Sequence, residues 1–274
     1  MEVIRDFRRI FPTVMDRAYE QSKELMTVND IMSSEVVMVA PNATMAEAAK
    51  TMGERHIGSL IVVEDGEPDG IVTERDLLSK VLAKDMSPEN VKVRAVMSSP
   101  LLTISPSGTI REAARTMMRQ KGRLVVFDEE KLVGVVTASD LVKSMPWVSE
   151  TRIMVDQYMT NKVVTAEEKA LVAAVAKTMG EKRIGSVVVT RLGKPIGIFT
   201  ERDLLTTFLA EGRPLGVAVG NACSKPLLVI PAQTPINVAA QIMASRHIRR
   251  LPIAEGNELI GIITARDLVE AYAQ

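Results

Sequence analysis

The sequence predicts an α/β protein built from four copies of one strand-and-helix unit. The stretch from Gly70 to Leu77 (GIVTERDL) returns in related form at 134–141, 197–204 and 261–268. The threonines of successive copies are 64, 63 and 64 residues apart. Each copy is a short apolar run that ends in threonine and leads into an amphipathic run, which is typical of a strand entering a helix. Self-similarity at a fixed period indicates a repeat protein.

Within each unit the predicted order is strand, helix, strand, strand, helix. In repeat one the predicted elements are a strand at 36–39, a helix from Thr44 to Met52, strands at 59–63 and 70–73 around a turn, and a closing helix that ends near Ala83. β-branched residues in the strands and an Asp-Gly pair in the turn support this order. A capping-box pattern, Thr44 with Glu47, starts the first helix, whereas repeat three has Leu171 in place of the threonine.

The threonine and aspartate of the recurring stretch lie three residues apart at the start of the closing helix. One interpretation is structural, a capping box in which the two side chains satisfy free backbone N–H groups. The other is a ligand site, because a helix N-terminus attracts phosphate and a carboxylate accepts hydrogen bonds from a ribose diol. Capping alone would tolerate Ser, Asn or Glu, so an aspartate in all four copies favours a ligand.

The charge balance argues against several classes of partner. The 274 residues include 34 acidic and 34 basic side chains, so the net charge is zero. This balance argues against a nucleic-acid-binding or anionic-membrane-binding protein. No apolar stretch approaches the roughly 20 residues of a membrane helix, and the N-terminus lacks the apolar core of a signal peptide. We therefore expect a cytoplasmic protein without a membrane-embedded segment.

The sequence contains no pattern that predicts catalysis or metal binding. It has no Ser/His/Asp or Cys/His set, no Walker loop and no metal-ligand cluster. The single Cys223 excludes an intramolecular disulfide and is interpreted as a core residue. The equivalent positions of the other repeats hold Met32, Met97 and Met159. His56 and His247 precede strands and are interpreted as helix-end residues. We expect no enzyme activity, no catalytic cofactor and no metal.

The repeat pattern also predicts domain limits. The limits are 1–27 for an N-terminal helical arm, 28–85, 86–146, 155–212 and 213–274 for the four repeats, and 147–154 for a linker between the halves. The arm is predicted either to pack on the repeats or to serve in docking or dimerisation. Repeats one and three share Ile-Gly-Ser and Thr-Glu-Arg-Asp, whereas repeats two and four place arginine before the second strand. This alternation indicates duplication of a pair, so we expect two pairs that each hold one repeat of each type.

These motifs resemble the cystathionine-β-synthase-type (CBS) domain, in four consecutive copies from residue 28 to the C-terminus. The resemblance implies the α+β CBS fold, in which two domains pack through their sheets into a Bateman module. Two modules would form a flat disc, as in the γ subunit of AMP-activated protein kinase. It also implies clefts between paired domains that bind adenosine nucleotides or, in some members, S-adenosylmethionine. A monomeric disc and a homodimer both remain open.

The resemblance assigns roles to residues near the recurring stretch. The ribose hydroxyls would be held by Asp76, Asp140, Asp203 and Asp267. The phosphate or ribose would be contacted by Thr73, Thr137, Thr200 and Thr264. The adenine ring would lie against Val36, Leu101, Val163 and Leu227.

Arginines are expected at the phosphate end, but they differ among the repeats. The candidates are Arg75, Arg123, Arg202, Arg249, Arg250 and Arg266. Arg123 and Arg250 match the arginine of a phosphate-binding His-Arg pair in the family, while Gly122 and Arg249 stand where the histidine would be. Repeats one and three have Gly-Ser at this pair, so their cation would come from the helix start. The planar guanidinium pairs well with phosphate oxygens, which favours AMP, ADP or ATP over S-adenosylmethionine.

Together these inferences predict a non-catalytic regulatory or sensor protein. Nucleotide bound between two repeats would stabilise one arrangement of the pair and change a surface that an unidentified partner protein reads. One alternative is a structural scaffold whose clefts are empty or partly occupied. The others are binding of S-adenosylmethionine and binding of nucleic acid, and the zero net charge argues against the latter.

Overall fold

The computed structural model describes residues 26–120, 122–144, 153–256 and 258–273, together with the backbone of residues 2–3. Almost all of the predicted N-terminal arm (1–27) and most of the predicted linker (147–154) lie outside these residues. The described residues form small sheets and helices in four repeats, which confirms the predicted fold class.

The short strand β1 (Glu2–Val3) precedes the repeats, and the short helix α1 (Val28–Ile31) opens repeat one. Repeat one contains β2 (Met38–Val39), α2 (Met45–Glu54), β3 (Ser59–Glu64), β4 (Glu67–Thr73) and α3 (Glu74–Asp76). Repeat two contains β5 (Thr103–Ile104), α4 (Ile110–Gln120), β6 (Leu124–Asp128), β7 (Lys131–Val136) and α5 (Ala138–Ser144).

The second half of the chain repeats this order. Repeat three contains β8 (Thr165–Glu167), α6 (Val172–Glu181), β9 (Ser186–Arg191), β10 (Lys194–Thr200) and α7 (Glu201–Asp203). Repeat four contains β11 (Leu228–Val229), α8 (Ile236–Ser245), β12 (Arg250–Glu255), β13 (Glu258–Thr264) and α9 (Ala265–Ala273). In repeats one to three the first strand is parallel to the second, and the second is antiparallel to the third. In repeat four, β12 and β13 form a hairpin, and β11 pairs with β1.

The closing helices of repeats one and three differ from the expectation of one regular helix. After α3 the chain forms a π-helix at Leu77–Val81 and a 3-10 turn at Leu82–Lys84, and after α7 it forms a π-helix at Leu204–Leu209. Repeats two and four keep regular helices, α5 and α9. These π-helical turns lie against a glycine of another helix. Gly180 of α6 packs so closely on the first of them that an added Cβ would lie 2.2 Å from the carbonyl oxygen of Leu78.

The described residues divide into two compact units. Unit 1 contains residues 37–101 and 164–227, and unit 2 contains the described parts of 2–36, 102–163 and 228–274. The predicted modules, which each hold one repeat of each type, remain a prediction. Unit 1 holds most of repeats one and three, and unit 2 holds most of repeats two and four. The physical reason is that helices of like repeats pack together, as α2 does with the π-helix of repeat three.

The hydrophobic cores of the two units are built differently. Unit 2 has one continuous core that includes residues of both its repeats. Unit 1 has two cores, and its repeats exchange one leucine each: Leu205 of repeat three is buried in the core of repeat one, and Leu78 of repeat one is buried in the core of repeat three. This exchange fixes the two closing helices of unit 1 against each other.

A short segment near the start of each repeat crosses the first residue of another repeat's recurring stretch. In unit 1, Ser98 forms a β-bridge with Ile71, and Met97 lies against Gly70, where a Cβ would be 3.1 Å from its sulfur. The other three glycines of this position meet Met32, Met159 and Cys223 in the same way. Glycine is therefore needed here because a side chain would collide with the crossing segment. The predicted equivalence of Cys223 with the three methionines is confirmed, and Cys223 is half-buried against the core.

Candidate functional site

Each recurring stretch ends in the same hydrogen-bonded corner, which we call the Thr–Asp corner. In all four repeats Oδ2 of the aspartate accepts hydrogen bonds from the backbone N–H and the hydroxyl of the threonine, over 2.6–2.9 Å. In repeats one, three and four the aspartate N–H donates back to the threonine hydroxyl at 3.2, 3.3 and 3.4 Å. In repeat two the N–H of Asp140 donates instead to the carbonyl of Thr137 at 3.1 Å. The capping interpretation of the corner is therefore correct.

The same geometry leaves a defined set of acceptor sites for a ligand. A carboxylate oxygen has about two lone-pair sites, and two donors already occupy Oδ2. Hydroxyl groups of a ligand must therefore approach Oδ1. In the described part of the chain, Oδ1 of Asp140 and Oδ1 of Asp267 accept no hydrogen bond. Both carboxylates are half-buried, so a ligand could reach them from solvent.

The strand register decides which residue lies beside each corner threonine. Ser59 lies directly opposite Thr73, and Ser186 lies opposite Thr200. In repeat four Arg250 lies opposite Thr264. In repeat two Leu124 pairs with Val136, which brings Arg123 alongside Thr137. The residue beside the corner threonine is thus serine in repeats one and three and arginine in repeats two and four.

Repeat four carries a second arginine at its corner. Arg266 lies between Ala265 and Asp267, and it forms no hydrogen bond or close ion pair with other described residues. Burial raises the pKa of the Asp267 carboxyl, whereas the hydrogen bonds from Thr264 and the charge of Arg266 act in the opposite direction. An anion beside Arg250 and Arg266 would therefore meet two cations and a carboxylate that is harder to ionise than usual.

The two corner arginines of unit 1, Arg75 and Arg202, contact other protein groups. Arg75 Nε lies 3.6 Å from Oε1 of Glu201, whose side chain is 5% exposed. Arg202 donates from Nη2 to the carbonyl of His56 at 3.4 Å. Both contacts join repeat one to repeat three. Unit 2 has alanine, Ala138 and Ala265, at the positions equivalent to Glu201.

The four residues predicted to line the adenine ring fall where the chain passes from one unit to the next. The units end at 36, 101, 163 and 227 along the chain. Val36, Leu101 and Val163 are half-buried, whereas Leu227 is fully buried at 0% exposure. The first strands are accordingly shorter than expected, because these residues leave the sheet. The side chain of Leu227 is thus the least accessible of the four.

The histidines lie at helix ends, as expected. His56 and His247 are exposed and have φ of 55° and 53°, directly after α2 and α8. Among the described residues, no group of three His, Cys, Asp or Glu side chains could hold a metal ion. None of the helices within those residues is both long and apolar enough to cross a membrane.

Two contributors to the corners were missed in the sequence. The first is the buried Glu201 that pairs with Arg75, and no spacing rule could have found it because its partner lies in another repeat. The second is Lys80, whose Nζ lies 2.8 Å from Oδ1 of Asp76. The sequence could have indicated this contact, because a lysine four residues after an aspartate lies beside it on a helix.

Four repeats of this order, each closed by a Thr–Asp corner, define a tandem-repeat α/β protein. The pattern of the CBS domain matches residues 28–83, 93–146, 155–210 and 219–274, which is more than half of the chain. The chain therefore belongs to the CBS domain family, and the resemblance predicted from the sequence is confirmed.

Individual relatives agree with this assignment. The uncharacterized protein MK0525 of Methanopyrus kandleri is 36% identical over 130 residues, which cover 46% of this chain and 66% of MK0525. The CBS domain-containing protein YhcV of Bacillus subtilis is 34% identical over 118 residues, covering 43% of this chain and 84% of YhcV. This chain therefore matches slightly less than two thirds of MK0525.

A solved structure shares the fold over most of the chain. The crystal structure of MJ1225 from Methanocaldococcus jannaschii, described as a candidate archaeal homologue of the γ subunit of AMP-activated protein kinase, aligns with a TM-score of 0.74. The alignment covers 90% of this chain and 100% of MJ1225 at 23% identity. At this identity the likeness establishes the fold.

Proposed function

We propose that this chain is a non-catalytic regulatory protein that binds an adenosine nucleotide at the Thr–Asp corners of its CBS repeats. The observation that carries the proposal is the corner of repeat four, where the ribose-accepting Oδ1 of Asp267 lies on the same helix start as Arg266, and Arg250 lies opposite Thr264. A carboxylate for a ribose diol and cations for a phosphate are thus close together. Charge-assisted hydrogen bonds of this kind are the stronger ones in proteins.

The corners of unit 2 are the preferred nucleotide sites in this proposal. Repeats two and four combine an available aspartate oxygen with an arginine beside the corner threonine. The predicted ribose and phosphate contacts of repeats one and three remain part of the proposal, with weaker affinity. The residue beside the corner threonine there is a serine, which carries no charge for a phosphate.

The wider function follows the resemblance to CBS regulators. Bound nucleotide would favour one arrangement of the repeats, and a partner protein would read the changed surface. The shift is limited to the difference in nucleotide affinity between the arrangements. We further propose that the protein works in the cytoplasm, as a monomer or a homodimer.

The direct test is calorimetric titration of protein stripped of bound small molecules, with AMP, ADP, ATP and S-adenosylmethionine. We expect binding of at least one adenosine nucleotide, and we expect Asp140→Asn with Asp267→Asn to remove most of it. Asn keeps the size of the side chain and one acceptor oxygen, so the corner should still fold. Asp128→Asn, at the exposed end of β6, is the matched control. No heat of binding with any of the four compounds would contradict the proposal.

A scaffold with partly occupied sites is a second candidate, and the charge pairing in unit 1 favours it for repeats one and three. In that case the four corner aspartates could be changed to alanine without altering partner binding. The nucleotide proposal requires the opposite, a loss of every nucleotide-dependent change in melting temperature, because a ligand stabilises only the fold that binds it.

The raised pKa of Asp267 predicts a distinct acid sensitivity for repeat four. Only the ionised carboxylate accepts hydrogen bonds at both lone pairs of Oδ1, and burial makes Asp267 protonate at a higher pH than a usual aspartate. As the pH falls from 7, adenosine affinity at repeat four should therefore decrease at a higher pH than an aspartate of ordinary pKa would give. Adenosine is the probe because it has no phosphate that titrates near pH 6. The Asp267→Asn variant should lack this decrease, and an unchanged profile would contradict the prediction.

A further inference from the structure

Repeat one has a lysine on the ribose-accepting oxygen of its Thr–Asp corner. Lys80 Nζ lies 2.8 Å from Oδ1 of Asp76, while Oδ2 of Asp76 already accepts both threonine hydrogen bonds. Protein groups therefore contact both carboxylate oxygens of Asp76. A ribose hydroxyl would have to displace the ammonium group.

The lysine is held in this position from a second side. Its Nζ also donates to the carbonyl of Val96 at 2.5 Å. Asp76 is the most buried of the four corner aspartates, with a side chain 11% exposed, while the Lys80 side chain is 39% exposed. Surface ion pairs contribute little, but this pair has one desolvated partner and an additional hydrogen bond. The lysine is therefore a persistent occupant of the corner.

The position is specific to repeat one. Four residues after the corner aspartate, the other repeats have Ser144, Thr207 and Ala271. None of these side chains carries a charge, and none can neutralise a carboxylate. Ser144 instead donates its hydroxyl to the carbonyl of Asp140.

We propose that Lys80 sets the corner of repeat one apart by competing with ribose for Oδ1 of Asp76, which lowers the nucleotide affinity of this corner. The inference rests on the proposed function, because it assigns which of the nucleotide sites can fill. The cationic group of the lysine takes the place of the ribose diol on Asp76. The corner of repeat one then serves the fold of unit 1.

The test is a change in the number of bound nucleotides. Lys80→Met keeps the apolar stem and removes the charge, and titration with AMP should show one additional site, or an affinity at repeat one at least about tenfold higher. Lys80→Ala is a second variant, since alanine is well tolerated in a helix. Lys84→Met, an exposed lysine one turn further on, should leave the stoichiometry as in the unmodified protein. Asp76→Asn combined with Lys80→Met should abolish the extra site, which locates it at Asp76.

The outcomes separate this inference from the proposed function. If the unmodified protein binds AMP and neither folded Lys80 variant gains a site or affinity at repeat one, the inference about Lys80 is overturned and the proposed function stands. A loss of a site in the Lys80 variants would show that the lysine itself contacts phosphate, which also overturns the inference. If neither the unmodified protein nor the variants bind AMP, ADP or ATP, both proposals fail. Circular dichroism of each variant establishes that it is folded.

Discussion

Replacing Gly180 by alanine is expected to lower the free energy of unfolding by about 2 kcal/mol. A Cβ at Gly180 would lie 2.2 Å from the carbonyl oxygen of Leu78 and 2.8 Å from Cβ of Ala83. The nearest atom belongs to a helix backbone, so it cannot move aside as a flexible side chain would. Gly53 stands in the reciprocal position, since its Cβ would lie 2.5 Å from Cβ of Ala210 and 2.9 Å from the Leu205 carbonyl oxygen.

The expected loss of stability is opposite in sign to the usual effect of replacing a helical glycine by alanine. Glycine within a helix is ordinarily less stable than alanine by about 0.5–1 kcal/mol, so without the close contact the substitution would stabilise the protein. Urea denaturation followed by circular dichroism measures the change. Gly216→Ala is the matched control in the same unit, because a Cβ there meets no atom within 4 Å. A Gly180→Ala variant as stable as the unmodified protein would contradict the helix packing described for unit 1.

Replacing Arg250 by glutamate is expected to weaken nucleotide binding at repeat four by about 10- to 100-fold. Arg250 lies directly opposite Thr264, and side chains in that relation are about 5 Å apart at Cβ. A hydrogen bond to a charged group contributes about 1.5–3 kcal/mol, and each 1.4 kcal/mol is a factor of ten in affinity. The glutamate would add repulsion between its carboxylate and the phosphate.

The measurement compares AMP with adenosine. The Arg250→Glu variant should lose affinity for AMP in the class of sites that Asp267→Asn removes, while adenosine, which has no phosphate, should bind nearly as before. Arg246→Glu makes the same change in net charge at an exposed helix end and should leave both affinities unaltered. Equal AMP affinity in the Arg250 variant and the unmodified protein would show that the phosphate does not lie at this arginine.

Much of the fold was readable because it depends on local patterns. The recurring stretch predicted the strand-to-helix junctions, and the Thr–Asp spacing predicted the capping hydrogen bonds that the structure contains. Leu171 was identified as a missing cap, and the structure has no side-chain cap there. Such features involve neighbouring residues along the chain, so spacing alone specifies them.

The candidate site was only partly predictable. The sequence placed Asp267 and Arg266 next to each other, but the position of Arg250 beside Thr264 depends on the strand register. The pairing of Arg75 with Glu201 depends on a contact between residues 126 positions apart. The order of residues along the chain does not indicate contacts between distant residues. Only the structure therefore shows the ion pairs that distinguish the corners.

The amino-acid sequence by itself determined that this protein is a tandem array of four CBS repeats with one Thr–Asp corner in each. The pattern is local and occurs four times at even spacing, so a match to the family by chance is improbable. Only the tertiary structure decided that like repeats share a compact unit and that Leu78 and Leu205 exchange cores. It alone also decided that the corners differ in the charges around them. The reason is that helix packing and ion pairing depend on which surfaces meet, and residues far apart in the chain supply those surfaces.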